Sequence, residues 1–119
     1  MDSDPSQSVD VLDRLMAQLR QRAVDLPEKS YTTKLIKGGI DAMGAKILEE
    51  AAEVVDAART SPPDDKHLIY EACDVIYHLW VLLASRGIDV DALRSELARR
   101  EGTSGLEEKK QRASKSDVN

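Results

Sequence analysis

The sequence predicts an all-α protein, a helical bundle, and three observations carry that prediction. Apolar residues recur at intervals of three and four along several long stretches, the spacing of one face of a helix. No stretch alternates apolar and polar residues at period two. The apolar content comes from Leu, Val, Ile and Ala, with no Phe and only 3% aromatic residues, a mix that favours helices over sheets.

With 119 residues the chain suffices for one domain with a modest core. Residues 1–8 are polar and acidic, lack the charged-then-apolar pattern of a signal segment, and are expected to be a disordered start. From Val9 to about Ala23, the spacing of Leu12, Leu15, Met16, Leu19 and Ala23 predicts a first amphipathic helix, closed by Pro27. Ser30 to Leu35 reads as a short helical turn stopped by Gly38-Gly39. A long helix is expected from Ile40 to Arg59, broken by Thr60-Ser61-Pro62-Pro63. Asp64 is placed to cap the next helix, which runs to about Arg86, where Gly87 can end it in the left-handed conformation. Asp89 then caps a shorter helix carrying Val90, Leu93 and Leu97. The folded domain is therefore expected over residues 9–100. Residues 101–119 form a polar segment, with Gly102 and Gly105 in a loop and a mobile end.

Charge and composition exclude several function classes. A net charge of −5 argues against a nucleic-acid surface, which needs a basic stripe. The lone Cys73 rules out an intrachain disulfide and fits a reducing compartment. No apolar run approaches bilayer length, so no membrane partner and a cytoplasmic location are expected.

Two acidic clusters stand out: Glu49, Glu50 and Glu53 on the helix begun at Ile40, and Glu71 and Asp74 on the next. At about 100° per residue, Glu50 lies at the margin of an apolar arc of Ile47, Ala51, Val54, Val55 and Ala58, with Glu53 one turn along. Glu71 borders Leu68, Val75 and Leu82, and Asp74 follows it on the same side. If the two helices pack antiparallel, Glu50, Glu53, Glu71 and Asp74 line one groove. Four carboxylates so placed would repel one another unless a cation neutralised them. Hard oxygen ligands suit Mg²⁺, with Mn²⁺ also possible. Either cluster alone reads as solvated surface, since Glu-x-x-Glu is common on exposed helices. Two of them on consecutive helices, each at the edge of an apolar arc, read as a site.

The paired pattern Glu-Glu-x-x-Glu and Glu-x-x-Asp resembles the all-α nucleotide pyrophosphohydrolases of the MazG-like superfamily. Ser-Tyr-Thr-Thr-Lys-Leu at 30–35 and Arg-Arg-Glu-Gly-Thr-Ser-Gly at 99–105 narrow the resemblance to the phosphoribosyl-ATP pyrophosphatase family of histidine biosynthesis. The likeness spans roughly residues 10–112. It implies Mg²⁺-dependent hydrolysis of the α–β phosphoanhydride of phosphoribosyl-ATP, giving phosphoribosyl-AMP and pyrophosphate. By motif position it implies Glu50, Glu53, Glu71 and Asp74 as metal ligands. Glu49 is a further catalytic candidate beside Glu50, as base or as ligand of a second metal. Lys46, one turn before Glu50, is the first candidate to meet a phosphate, followed by Lys34, Arg99 and Arg100. A housecleaning pyrophosphatase for other nucleoside triphosphates is the alternative, and a non-catalytic helical interaction module is the reading from another class.

His78 shares the carboxylate face, as a second-shell group or a hydrogen-bonded core histidine, whereas His67 reads as surface. Cys73, opposite that face, reads as a small core residue. The helix from Asp64 is apolar over about half its circumference, with Trp80 and Ile69 on the side away from the acids. One chain would leave that sector uncovered, so the bundle is expected to be completed by a homodimer, as the resemblance also implies.

Overall fold

The computed structural model describes residues 10–102 and 105–118. The expected disordered start, and Thr103 and Ser104 of the closing motif, lie outside the described residues. All described elements are helices: α1 (Val11–Asp25), α2 (Tyr31–Lys37), α3 (Gly39–Ala58), α4 (Asp65–Ser85), α5 (Val90–Arg100) and α6 (Gly105–Val118). They fall into two compact units that divide between Asp89 and Val90.

In the first unit the helix ends follow the local chemistry. Asp10 accepts from the Leu12 amide at the start of α1, and Ser30 Oγ accepts from the Thr33 amide, 3.2 Å, at the start of α2. Asp64 Oδ1 accepts from the His67 amide at 3.1 Å, as expected of a cap. At the end of α4, the Gly87 amide donates to Ala84 O and the Ile88 amide to Leu83 O, both 3.0 Å. This is the Schellman arrangement, and it requires the positive φ of 71° that Gly87 supplies.

The central helix is α4. It packs most extensively on α3, then on α1, and α2 touches all three. The six-residue break between α3 and α4 makes them antiparallel neighbours. Met16 and Leu19 of α1, Leu35 of α2, Met43 and Ala57 of α3, and Val81 and Ala84 of α4 form the core. Each large side chain so buried contributes about 1.5–3 kcal/mol.

The buried faces differ from the wheel prediction. On α3 the buried positions are Met43, Glu50 and Ala57, so Glu50 sits in the middle of the inward line rather than at its margin. On α4 they are Glu71, His78, Trp80, Val81 and Ala84. Of the arc expected to face inward on α3, Ala51, Val55 and Ala58 are exposed, and Leu48, Ile69 and Tyr70 are open as well. The reason is that each helix has apolar residues on more than one side, and the third partner, α1, selects which side is covered.

Three further expectations change. Trp80 is buried within the chain, its Nε1 donating to Leu12 O at 3.0 Å, so α1 covers it without a second copy. Cys73 is exposed rather than in the core, because it lies on the open side of α4. At 21 residues α4 is long and apolar enough to cross a membrane by length and composition, contrary to the sequence reading. Its buried Glu71 and His78 and its packing on three helices make that apolarity the requirement of a bundle centre.

In the second unit, α5 occupies the predicted place. The segment after Gly105, expected to be a loop and a mobile end, is helical as α6. Leu106, Glu107, Lys109, Lys110, Gln111 and Arg112 are all good helix formers, and propensity prevails there without an apolar stripe.

Candidate functional site

The acidic clusters meet where α3 and α4 face each other. One carboxylate oxygen from each of Glu50, Glu53 and Glu71 lies within 4.8 Å of the other two. Glu50 and Glu71 are buried, and Glu53 is the most open of the three. Asp74 follows Glu71 by one turn and its carboxylate stands outside this group of three. Its backbone carbonyl accepts a hydrogen bond from His78 Nδ1 at 2.7 Å.

Each buried carboxylate has one oxygen turned to a nitrogen-bearing side chain on its own helix. Lys46 Nζ lies 3.5 Å from Glu50 Oε1 and 3.3 Å from Glu49 Oε2. His67 is exposed, as the sequence reading had it, with Nε2 3.9 Å from Glu71 Oε1. The other oxygens, Glu50 Oε2 and Glu71 Oε2, are buried without any hydrogen-bond partner. A bare buried carboxylate oxygen is costly, by about 1–3 kcal/mol or more. Two such carboxylates on neighbouring helices, grouped with Glu53, suit a hard divalent cation that accepts oxygen ligands. The donor set therefore fits Mg²⁺ or Mn²⁺.

Glu49 is half exposed and held by Lys46. The hydrogen bond from Lys46 to Glu49 raises the lysine pKa above its ordinary value, so the ammonium is secure at neutral pH. Lys34 lies on the exposed face of α2, in the same unit. Arg99 and Arg100 belong to the second unit. Arg99 Nε and a terminal Arg99 nitrogen bind Glu96 at 2.9 and 2.7 Å, and Arg100 Nε binds it at 2.9 Å. Those bonds hold the Glu96 carboxyl down to about 2.

His78, read from the sequence as a possible hydrogen-bonded core histidine, is one, and the structure links it to the Ser-Tyr-Thr-Thr segment. Tyr31 Oη is 2.8 Å from His78 Nε2, with the two rings edge to face. Because Asp74 O can only accept, His78 Nδ1 carries the proton, and Nε2 accepts from the Tyr31 hydroxyl. Thr32 Oγ1 and Tyr77 Oη meet at 3.0 Å beside them. Burial is the main influence raising the Tyr31 pKa, with the Lys46 charge lowering it and the Glu50 and Glu49 charges raising it. His78 is thus a hydrogen-bonded buried histidine that ties α2 to the ligand-bearing face of α4. The Ser-Tyr-Thr-Thr segment contained the signal, but nothing in its spacing pointed to residue 78.

The fold and the site together define an all-α bundle with an acidic groove between two antiparallel helices, where Glu50, Glu53 and Glu71 come together. The chain belongs to the phosphoribosyl-ATP pyrophosphohydrolase family, whose model matches residues 12–101. A phosphoribosyl-ATP pyrophosphatase of Rhodopirellula baltica is 58% identical over 109 residues, covering 89% of each chain. One from Dechloromonas aromatica is 45% identical over 108 residues, covering 89% of this chain and 96% of that one. The histidine biosynthesis bifunctional protein HisIE of Wolinella succinogenes is 44% identical over 109 residues, 92% of this chain and 47% of the relative.

Proposed function

We propose that this chain hydrolyses the α–β phosphoanhydride of 1-(5-phosphoribosyl)-ATP, giving phosphoribosyl-AMP and pyrophosphate, in the cytoplasmic pathway to histidine. Family membership supports the reaction, and the bare oxygens of Glu50 and Glu71 are the observation that carries the site. Glu50, Glu53 and Glu71 hold a divalent cation, with Asp74 as the adjoining carboxylate. That cation supplies the positive charge that lets a triphosphate enter an acidic groove, and it acidifies water.

The remaining work falls to the chain's own groups. Lys46, secured by Glu49 and Glu50, presents its ammonium to a phosphate oxygen and offsets charge as the anhydride breaks. Glu49, the exposed neighbour, accepts the proton of the attacking water. The oxygen of that water bonds to phosphorus, the bridging oxygen leaves with the other phosphate group, and the proton ends on the carboxylate. Lys34, Arg99 and Arg100 are further cations for phosphate.

A second copy of the chain covers the open apolar face. Ala51, Val54, Ala72, Val75 and Ile76 line a nearly non-polar cleft of ≈ 340 Å³ along α3 and α4, with Leu48 and Ile69 exposed nearby. An apolar face of this kind beside the acid group supports a homodimer. Light scattering at micromolar concentration is expected to give the dimer mass, and a stable 13.2 kDa species would refute it.

The activity is tested with a panel of phosphoribosyl-ATP and ordinary nucleoside triphosphates. Preferential turnover of phosphoribosyl-ATP with Mg²⁺, lost in Glu50→Gln, is expected. Equal turnover of ordinary triphosphates would favour a housecleaning role, and full activity of Glu50→Gln would favour a non-catalytic module.

A further inference from the structure

Tyr31 also lines a feature whose charge is opposite to that of the acid group. Glu28, Lys29, Ser30, Thr33, Lys34 and Lys37 join Tyr31 in walling a cleft of ≈ 470 Å³ between the α1–α2 loop and α2. That volume lies within the roughly 300–1,000 Å³ of small-molecule sites. Three ammonium groups against one carboxylate leave it net positive, in a chain whose net charge is −5. Lys29, Lys34 and Lys37 have no ion-pair partner among the described residues. Lys46, by contrast, is neutralised by two carboxylates. Thr33 is 95% buried in the cleft wall, at 5% exposure, and its Oγ1 has no hydrogen-bond partner. With seven residues, α2 is too short to supply a useful helix dipole, so the positive potential comes from side chains.

A substrate with two anionic ends needs two different receptors. The carboxylate group accepts a triphosphate only through a cation. A phosphomonoester at the far end of the same molecule would be repelled there, and it needs ammonium groups and hydroxyl donors instead. We propose that the Lys29–Lys34–Lys37 cleft is a phosphomonoester subsite, holding the 5-phosphate of the substrate's N1-linked ribose while the triphosphate lies at Glu50, Glu53 and Glu71. This rests on the reaction proposed above. Tyr31 and Thr33, both in the cleft wall, belong to the same segment as Lys34 and Lys37. Ordinary nucleoside triphosphates lack the second phosphate, so the cleft is also where the substrate is told from them.

The test uses the full chain, with ribose 5-phosphate and inorganic pyrophosphate as separate probes. Backbone amide NMR of the wild-type protein should show saturable shifts at Thr33, Lys34 and Lys37 on adding ribose 5-phosphate. K34A/K37A should weaken ribose 5-phosphate binding at least about tenfold and raise the KM for phosphoribosyl-ATP by a similar factor. Inhibition by pyrophosphate should keep its strength, and E28Q should tighten ribose 5-phosphate binding. No saturable wild-type shifts at millimolar ribose 5-phosphate would overturn the proposal. So would weakened pyrophosphate inhibition in K34A/K37A with ribose 5-phosphate binding intact, which would give the cleft to the other end of the substrate. A wild-type chain that binds ribose 5-phosphate there but leaves phosphoribosyl-ATP intact would sink the reaction and keep the phosphomonoester site. The wild-type shift map does not depend on any variant folding.

Discussion

Tyr31 Oη and His78 Nε2 lie 2.8 Å apart although 47 residues separate them in the chain. The bond fixes the tautomer of a buried histidine and fastens α2, with its lysines, to the helix that carries Glu71 and Asp74. Tyr31→Phe strands Nε2 in a buried position, so a loss of about 1–3 kcal/mol is expected in urea denaturation. His78→Phe removes both polar atoms and leaves Tyr31 free to turn to water. A wild-type midpoint for Tyr31→Phe would show that the bond does not hold the fold.

The same phenol should titrate late. Burial, the largest influence, raises its pKa above the ordinary 10.0. The folded state therefore holds this proton more tightly than the unfolded one. The resulting stability is complete below pH 10 and is lost as pH climbs through the raised value. Difference absorbance between wild type and Tyr31→Phe should give residue 31 a titration midpoint above the ordinary 10.0, and a midpoint at or below it would contradict the shift.

Removing one of the bare carboxylates should have opposite effects with and without a cation. In chelator, Glu71→Gln relieves an uncompensated buried charge, and the melting temperature is expected to hold or rise. In millimolar Mg²⁺ the wild type should gain stability by mass action and Glu71→Gln should gain less. Turnover should fall by at least about 100-fold, beyond the range for groups that merely orient a ligand. Identical Mg²⁺-induced shifts in both proteins would place the cation elsewhere.

Leu19 is fully buried where α1 meets α4. Leu19→Ala should cost about 2–5 kcal/mol, read as a lowered urea midpoint at unchanged slope. A cost below about 1 kcal/mol would mean that α1 is not part of the cooperative unit. The same variant should loosen Trp80, whose indole bonds α1, and red-shift its fluorescence.

Much of the fold was legible because helix signals are local. Asp64 capping α4 and Gly87 closing it are decided within a few residues, and both appear as expected. The acids were legible as a set, since Glu50, Glu53 and Glu71 stand at helical spacing on consecutive helices, and the structure brings those three together. The direction of burial was not. On a helix with apolar residues on several sides, the wheel cannot say which side a neighbour will cover, and so Trp80 was assigned to a missing partner and Cys73 to the core. In the structure α1 covers Trp80, and the inward line of α3 runs through Glu50.

By itself the sequence determined an all-α chain, the approximate ends of α1 to α5, and a pair of acidic clusters with the periodicity of a site, because these depend on contacts within one or two turns. Only the tertiary structure decided that Glu50 and Glu71 are buried with a bare oxygen each, that Tyr31 meets His78, and that three unpaired lysines surround a buried hydroxyl. Those relations join helices far apart in the chain, and the packing of α1 and α2 on the α3–α4 pair sets them.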